Sequence, residues 1–170
     1  MKEQVLNGLS GGVDSALTAA LLQRDGFDVT GLYCIMHDAD ASGQKDAQKV
    51  ADQLGIPLHT VDLRSRFDEI VVTDFLDNYA HTRTPNPCIV CNPAVKFKAL
   101  TDTADDLGIE RIATGHYAAV EQDETTGRYA IRAVTDKDQS YMLYRLTQEQ
   151  LPRIIFPLGN TKKEDNRKLA

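Results

Sequence analysis

The hexapeptide Ser10-Gly11-Gly12-Val13-Asp14-Ser15 constrains this chain more than any other stretch. It joins an apolar run, Val5 to Leu9, that reads as a strand to a helical pattern formed by Leu17, Ala20, Leu21 and Leu22. A strand, a Gly-Gly turn and a helix start make a site for an anion, because consecutive backbone N–H groups point outward and the helix dipole favours negative charge. Gly11 and Gly12 are expected to turn with positive φ and to let a ligand approach the backbone closely. Ser10 and Ser15 add hydroxyl donors, and Asp14 is placed to cap the helix or help hold a magnesium ion. No Lys-Ser or Lys-Thr follows the glycines, so this is not the P-loop of NTPases. Any one of these residues is ordinary in a turn; the flanking strand and helix favour the phosphate reading over a plain connection.

Apolar runs alternate with helical patterns downstream. The expected strands are Gln4–Leu9, Asp28–Cys34, Leu58–Val61 and Arg111–Thr114, and the expected helices Asp14–Arg24, Gln44–Leu54, Arg66–Tyr79, Pro93–Leu107 and Gln139–Arg145. Such alternation means βαβ units, hence an α/β fold with a parallel sheet and helices on both faces. Ligands of these sheets sit beyond the C-terminal strand edge, where the first loop lies. Gly55 and Gly108 read as helix stops. Glu121 to Arg128 looks like the turn of a hairpin, and Lys162 to Ala170 like a helix. A length of 170 residues suits one domain.

No apolar run has membrane-spanning length, and Met1 to Gln4 lead directly into the first strand without a signal peptide. Three cysteines, an odd count, fit a reducing cytosol, so a cytoplasmic protein is expected. The net charge of −6 argues mildly against nucleic acid as a partner, and the local basic stretches (Lys96 and Lys98; Lys162, Lys163, Arg167 and Lys168) read first as solvated helix faces.

Thr84-Pro85-Asn86-Pro87-Cys88-Ile89-Val90-Cys91-Asn92 is the second informative stretch. Its prolines stiffen it and present Cys88 and Cys91 near the start of the next helix. A thiol there is expected to have a lowered pKa, lowered further by Lys96 and Lys98. Half of a zinc site, a redox disulfide and a nucleophile all suit a Cys-x-x-Cys pair. With Cys34 as the only other cysteine, structural zinc from this chain alone is disfavoured. Two buried apolar thiols are the default for isolated cysteines, but these flank a polar loop.

The order SGGVDS, TPNPCIVCNPAVKF, ATGHYA, DKDQSYMLYRL and FPLG, spread over essentially the whole chain, resembles the bacterial tRNA-specific 2-thiouridylases, members of the PP-loop ATP pyrophosphatases. The resemblance implies an adenine nucleotide α-hydrolase-like sandwich that uses ATP with Mg2+ to adenylate C2 of the wobble uridine of tRNA and replaces the oxygen by sulfur from a persulfide donor protein. It places ATP on Gly8, Leu9, Ser10, Gly11, Gly12, Val13, Asp14 and Ser15, on Cys34 (where the family often has methionine) and on Gly115. Asn86, Pro87 and Cys88 match the tripeptide around the target base. Many members have aspartate where this chain has Cys88. His116 and Lys137, Asp138 and Gln139 match tRNA contacts, though a satisfied loop histidine and a plain helix entry with an Asp138 cap are the ordinary readings of those residues. Cys91 matches the first catalytic cysteine, the nucleophile, which ends in a disulfide. Asp14 joins it as a catalytic residue.

The family's second catalytic cysteine, which carries the persulfide, its middle domain and its C-terminal tRNA-binding β-barrel have no counterpart within residues 1–170, so the N-terminal catalytic domain of a longer protein is expected. The resemblance therefore implies residues 1–170 as an N-terminal PP-loop domain, with about 160–170 beginning a link. Such a chain is expected to bind ATP but to sulfurate tRNA poorly or not at all. A short homologue in which Cys88 and Cys91 act together, or hold an iron–sulfur cluster with a further ligand, is the less favoured reading. Rival functions are another PP-loop enzyme (a tRNA lysidine synthetase or an amidotransferase type), a non-catalytic nucleotide-binding module, or a metal-binding module on Cys88 and Cys91.

Overall fold

The computed structural model describes residues 2–38, 41–135, 137–159 and 161. Five strands form one all-parallel sheet in the order β3-β2-β1-β4-β7: β1 (Gln4–Gly8), β2 (Asp28–Ile35), β3 (Leu58–Asp62), β4 (Arg111–Ala113) and β7 (Ile154–Ile155). The order reverses direction at β1, whose neighbours are β2 and β4. Such a switch point opens a crevice at the C-terminal strand edge.

Alternation along β1 builds both faces. Val5 packs with Ala19 and Leu22 of α1 (Val13–Arg24) and Ala47 and Ala51 of α2 (Ala41–Leu54). Its neighbour Leu6 points the other way, to Phe97, Leu100 and Ala104 of α6 (Phe97–Leu107). Helices thus cover both faces, as expected. Gly108 ends α6 at φ 67, a left-handed geometry that glycine adopts without a Cβ penalty.

Two helical runs contain π turns. Residues 64–80 comprise α3 (Arg64–Phe67), a π turn (Asp68–Val72) and α4 (Thr73–Ala80), close to the helix expected over Arg66–Tyr79. Residues 87–107 comprise α5 (Pro87–Cys91), a second π turn (Asn92–Lys96) and α6. The helix expected from Pro93 therefore begins six residues earlier, by the numbering of those bounds. Asn86 caps it by accepting from the Cys88 N–H at 3.1 Å, and Pro87 takes the first helical position, where a missing N–H costs nothing. Pro93 then falls inside the run, lacks the donor an α-helix needs, and is absorbed by the π turn.

The hairpin is present as antiparallel β5 (Ala119–Gln122) and β6 (Tyr129–Arg132). The helix expected over Gln139–Arg145 is not: a 3-10 turn covers Ser140–Met142, followed by further turns. The Gln139 backbone is engaged by Tyr117, and Leu143 and Leu146, three apart, reach the core through i→i+3 turns. Strand β7, only two residues long, is not among the strands that the sequence pattern marks. The helix read over Lys162–Ala170 lies outside the described residues, as do the basic residues within it. Among the described residues no helix is long and apolar enough to cross a membrane.

Candidate functional site

The glycine loop turns as a strand-to-helix loop must, with one correction. Gly11 has φ 81, but Gly12 has φ −83, so only the first glycine uses the left-handed region. A Cβ on Gly11 would lie 2.8 Å from the Ala47 nitrogen, so this glycine also lets the loop lie on α2. A Cβ on Gly12 would meet nothing nearer than Ser10 Oγ at 3.5 Å, so the space around it is open. Ser15 is buried and closes the loop on itself: its hydroxyl donates to the Gly12 carbonyl at 2.9 Å and accepts from the Ser10 N–H at 3.1 Å. The Ser10 and Ser15 hydroxyls are 3.1 Å apart.

Asp14 does not cap the helix; Gly12 stands at the N-cap without a side-chain bond. Asp14 instead accepts from the Tyr117 hydroxyl at 2.8 Å. Tyr117, 1% exposed and packed against Leu17 of α1, thereby fixes the carboxylate from the loop after β4. Gly115 serves the same junction, since a Cβ there would sit 3.0 Å from the Asp14 carbonyl oxygen. The Tyr117 N–H donates to Gln139 Oε1 at 3.0 Å, and Gln139 N–H returns a bond to the Tyr117 carbonyl at 3.0 Å. That double tie brings Lys137, Asp138 and Gln139 beside the loop after β4. Asp138 accepts from both the N–H and the hydroxyl of Ser140, so it caps a 3-10 turn rather than an α-helix.

Beyond the C-terminal ends of β1, β2 and β4 lies a cleft of about 270 Å³. Gly8, Leu9, Ser10, Leu32, Cys34 and His116 contribute to its walls, joined by Lys96 and Thr114. The sequence reads Lys96 as part of a solvated basic face and as a neighbour of the thiols; instead it is half-buried in the cleft wall. The extra residue of the π turn offsets the helix face, burying Val95 and Phe97 while Lys96 lines the cleft. Its charge reaches His116, Cys34 and Cys91. His116 sits near Phe97 and Phe156, with ring centroids 5.9 and 6.1 Å away, and its Nδ1 lies 2.7 Å from Thr114 Oγ1. Burial, with Lys96 adding repulsion, pushes its pKa down to about 4. His116 is neutral at physiological pH. The unfolded imidazole takes a proton below about 6.5 while the folded one does so only near 4, so stability falls as pH drops through that window, by up to about 3 kcal/mol in total. Replacing His116 by Gln should flatten that part of a pH–stability curve, measured by urea unfolding.

The thiols depart from expectation. Cys91 is 6% exposed and packs in an apolar cluster with Leu63, Val71, Val95 and Ala99, outside the lining of the cleft. Burial raises its pKa, against a smaller lowering by Lys96, so the expected activation by a helix start does not hold. Lys98 pairs with Asp102 instead. Cys34 packs against the same cluster and lines the cleft; burial pushes its thiol up to about 11. Cys88 is exposed, and all three are free thiols. Asn86, Pro87 and Cys88 lie on or beside α5, which touches the Ser140–Met142 turn. Among the described residues no group of three His, Cys, Asp or Glu side chains converges as a metal site.

The chain resembles tRNA-specific 2-thiouridylases in sequence. The "tRNA-specific 2-thiouridylase MnmA 2" of Thermoanaerobacter sp. (strain X514) is 48% identical over 185 residues, covering 100% of this chain and 51% of that protein. The MnmA of Clostridioides difficile (strain 630) is 43% identical over 183 residues, with coverage of 100% and 51%. The chain thus spans about half the length of the curated relatives it matches. In structure it resembles a 4-thiouridine synthetase solved as an RNA complex with bound ATP (TM-score 0.63, 16% identity, 98% of this chain and 39% of that one). It also resembles the U34-tRNA thiolase NcsA of Methanococcus maripaludis, solved with its [4Fe-4S] cluster (TM-score 0.62, 18% identity, 99% and 56%). At these identities the two structures bear on the fold, which is that of the adenine nucleotide α-hydrolase-like sandwiches. Residues 3–170 match the family model described as "tRNA methyl transferase HUP domain", and the chain belongs to that family.

Proposed function

We propose that this chain binds ATP in the cleft between β1, β2 and β4 and takes part in ATP-dependent 2-thiolation of the wobble uridine of tRNA. The observation that carries the reading is the convergence of an open glycine loop, a tyrosine-fixed carboxylate and a lysine-lined cleft beside a helix bearing two thiols. The family description names methyl transfer, whereas the relatives are named thiouridylases; a loop suited to pyrophosphate and a Cys-x-x-Cys pair support thiolation.

The uridine C2 oxygen attacks the α-phosphorus of ATP, and pyrophosphate leaves. The N–H groups at Gly11 and Gly12 and the Ser10 hydroxyl are placed to receive the charge that grows on pyrophosphate, preorganised by the Ser15 bonds. Mg2+ is usually held by phosphates and one or two carboxylates, which fits a site where Asp14 is the carboxylate; bound there, it would neutralise phosphate charge. Leu32, Cys34 and Gly115 flank the adenine position. Neutral His116 contributes a ring face and a nitrogen rather than a charge. Asn86, Cys88 and Lys137 to Gln139 would receive the base once it leaves the anticodon stack. The terminal sulfur of a persulfide then attacks C2 and AMP leaves; Cys91 attacks the sulfur that carries it, the S–S bond breaks with its electron pair going to the 2-thiouridine, and a disulfide at Cys91 remains. The reducing cytoplasm suits three free thiols.

Incubation with tRNA, ATP and a sulfane donor, followed by nucleoside analysis, tests the reading. The 2-thiouridine product and tRNA-dependent AMP formation support it; lysidine, or an amidated small molecule, assigns the chain to another PP-loop chemistry. AMP formation without thiouridine is the outcome if this half of the relatives' length suffices only for adenylation. Lys96→Ala should weaken nucleotide binding by roughly 10- to 100-fold, the worth of a charge-assisted contact, measured by calorimetry.

A further inference from the structure

The segment after Gln139 is built from i→i+3 turns: the N–H of Met142 donates to the Gln139 carbonyl, that of Leu143 to Ser140 and that of Leu146 to Leu143. In such turns residues three apart fall on one side. Leu143 and Leu146 take the inner side and join the core, which leaves Tyr141 and Tyr144 together on the outer side. They are 53% and 64% exposed, and among the described residues neither ring meets another aromatic ring. Between them and β6 lies a separate pocket of about 380 Å³, walled by Tyr129, Ile131, Tyr141 and Tyr144 and floored by Leu146 and Leu151. Gln148 holds its shape: Oε1 accepts from the Tyr129 N–H at 2.9 Å, and Nε2 donates to the Tyr129 carbonyl at 2.8 Å. A pocket fixed in this way needs little ordering when a ligand enters.

We propose that this tyrosine pocket takes an unpaired nucleobase of the RNA substrate, the neighbour of the base that is thiolated. The inference rests on the thiolation reading above and adds to it a site for a second nucleotide. The Ser140–Met142 turn touches α5, so the pocket is continuous with Asn86 and Cys88, and it follows directly on Lys137 to Gln139. A tyrosine offers a flat apolar face with a hydroxyl at its rim, which matches the π face and polar edge of a base. Arg128 and Arg145, next in the chain to Tyr129 and Tyr144, are exposed and form no ion pair among the described residues. In a chain of net charge −6, two unpaired guanidiniums beside aromatic rings supply what a phosphate backbone needs where its bases stack. Extruding the target base also strips its neighbour of a stacking partner. A tyrosine ring in the pocket replaces that partner, and so lowers the cost of extrusion.

The test uses anticodon stem-loop RNAs without ATP, with 2-aminopurine placed in turn at the loop nucleotide on either side of the wobble uridine. One of the two positions should lose fluorescence on binding the wild-type chain, as a stacked base does. Replacing both Tyr141 and Tyr144 by Ala should abolish that quench and weaken RNA binding by roughly 5- to 100-fold, the worth of one stacked base. Replacing both by Phe keeps the rings and should keep the quench. An abasic nucleotide at the quenched position should weaken binding to the wild-type chain and leave the double Ala variant unaffected, which ties the loss to that contact. Both tyrosines are exposed and share no wall with the nucleotide cleft, so folding and ATP affinity should not move. Wild-type RNA affinity in the double Ala variant would overturn the proposal, as would no quench at either position. Self-association that the double Ala variant abolishes, with RNA affinity intact, would assign the pocket to a second copy of the chain and equally overturn it. A wild-type chain that does not bind the stem-loop also overturns it. In each of these cases tRNA-dependent AMP formation is measured separately, so failure here is distinguishable from failure of the adenylation reading.

Discussion

Gly11→Ala should abolish measurable ATP binding and lower the melting temperature together. The backbone at this position has φ 81, which costs an L-residue roughly 1–2 kcal/mol. The added methyl would also stand 2.8 Å from the Ala47 nitrogen and 2.9 Å from the Asp46 Cβ. Backbone of α2 is half of that collision, so the loop rather than a side chain must move. Displacement rotates the neighbouring N–H groups away from a phosphate, and a loss of affinity of roughly 100-fold or more is expected from misaligned donors. Gly12→Ala is the informative partner. Its φ of −83 suits alanine and its surroundings are open, so unfolding should shift only by roughly 0.5–1 kcal/mol, the cost of alanine at an N-cap. A methyl there projects into the space read as the phosphate site, so binding should fall far more than stability. Calorimetry with ATP and thermal unfolding of both variants check the pair; equal, unimpaired affinity in both would remove the phosphate reading of the loop.

Phe97→Ala should cost about 3–5 kcal/mol, the range for emptying a fully buried aromatic position. Phe97 is 0% exposed and central to the cluster that joins α6 to β1, β2 and β4. Its ring also backs His116 at 5.9 Å and Phe156 at 6.4 Å. The substitution would therefore wet the cleft wall as well as open a cavity. As water reaches His116, its pKa should climb from about 4 toward the ordinary 6.5. Phe97→Leu keeps most of the volume and should cost roughly 1–1.5 kcal/mol with a smaller rise. Urea unfolding gives the energies, and an NMR titration of the His116 ring gives the pKa. An unchanged titration in Phe97→Ala would mean that this ring does not keep His116 dry.

Much of the architecture was legible because it is local. A strand, two glycines and a helix start announce their own geometry through sterics and backbone dipoles, and β1, the loop and α1 form where the pattern puts them. The Gly108 helix stop and the β5–β6 hairpin are of the same kind. Even the family resemblance rests on short runs whose residue types are set by what their backbones must do. The expected helix over Gln139–Arg145 failed for a non-local reason: Tyr117, far away in sequence, takes the Gln139 backbone, and the core takes Leu143 and Leu146. Strand β7 is too short to leave a periodic signal; it exists because β4 offers an unpaired edge.

What the amino-acid sequence determined by itself is the α/β frame, the place of the phosphate loop on it, and the thiol pair near a helix start. The surroundings of those residues come instead from the closed fold. It turned Asp14 from a cap into a tyrosine-held carboxylate, put Lys96 on the cleft wall, made His116 a neutral ring, and hid Cys91 while leaving Cys88 open. Secondary structure follows from neighbours along the chain. Ionisation and access follow from burial and charge supplied by residues distant in sequence, and those are settled only when the sheet and its helices close around them.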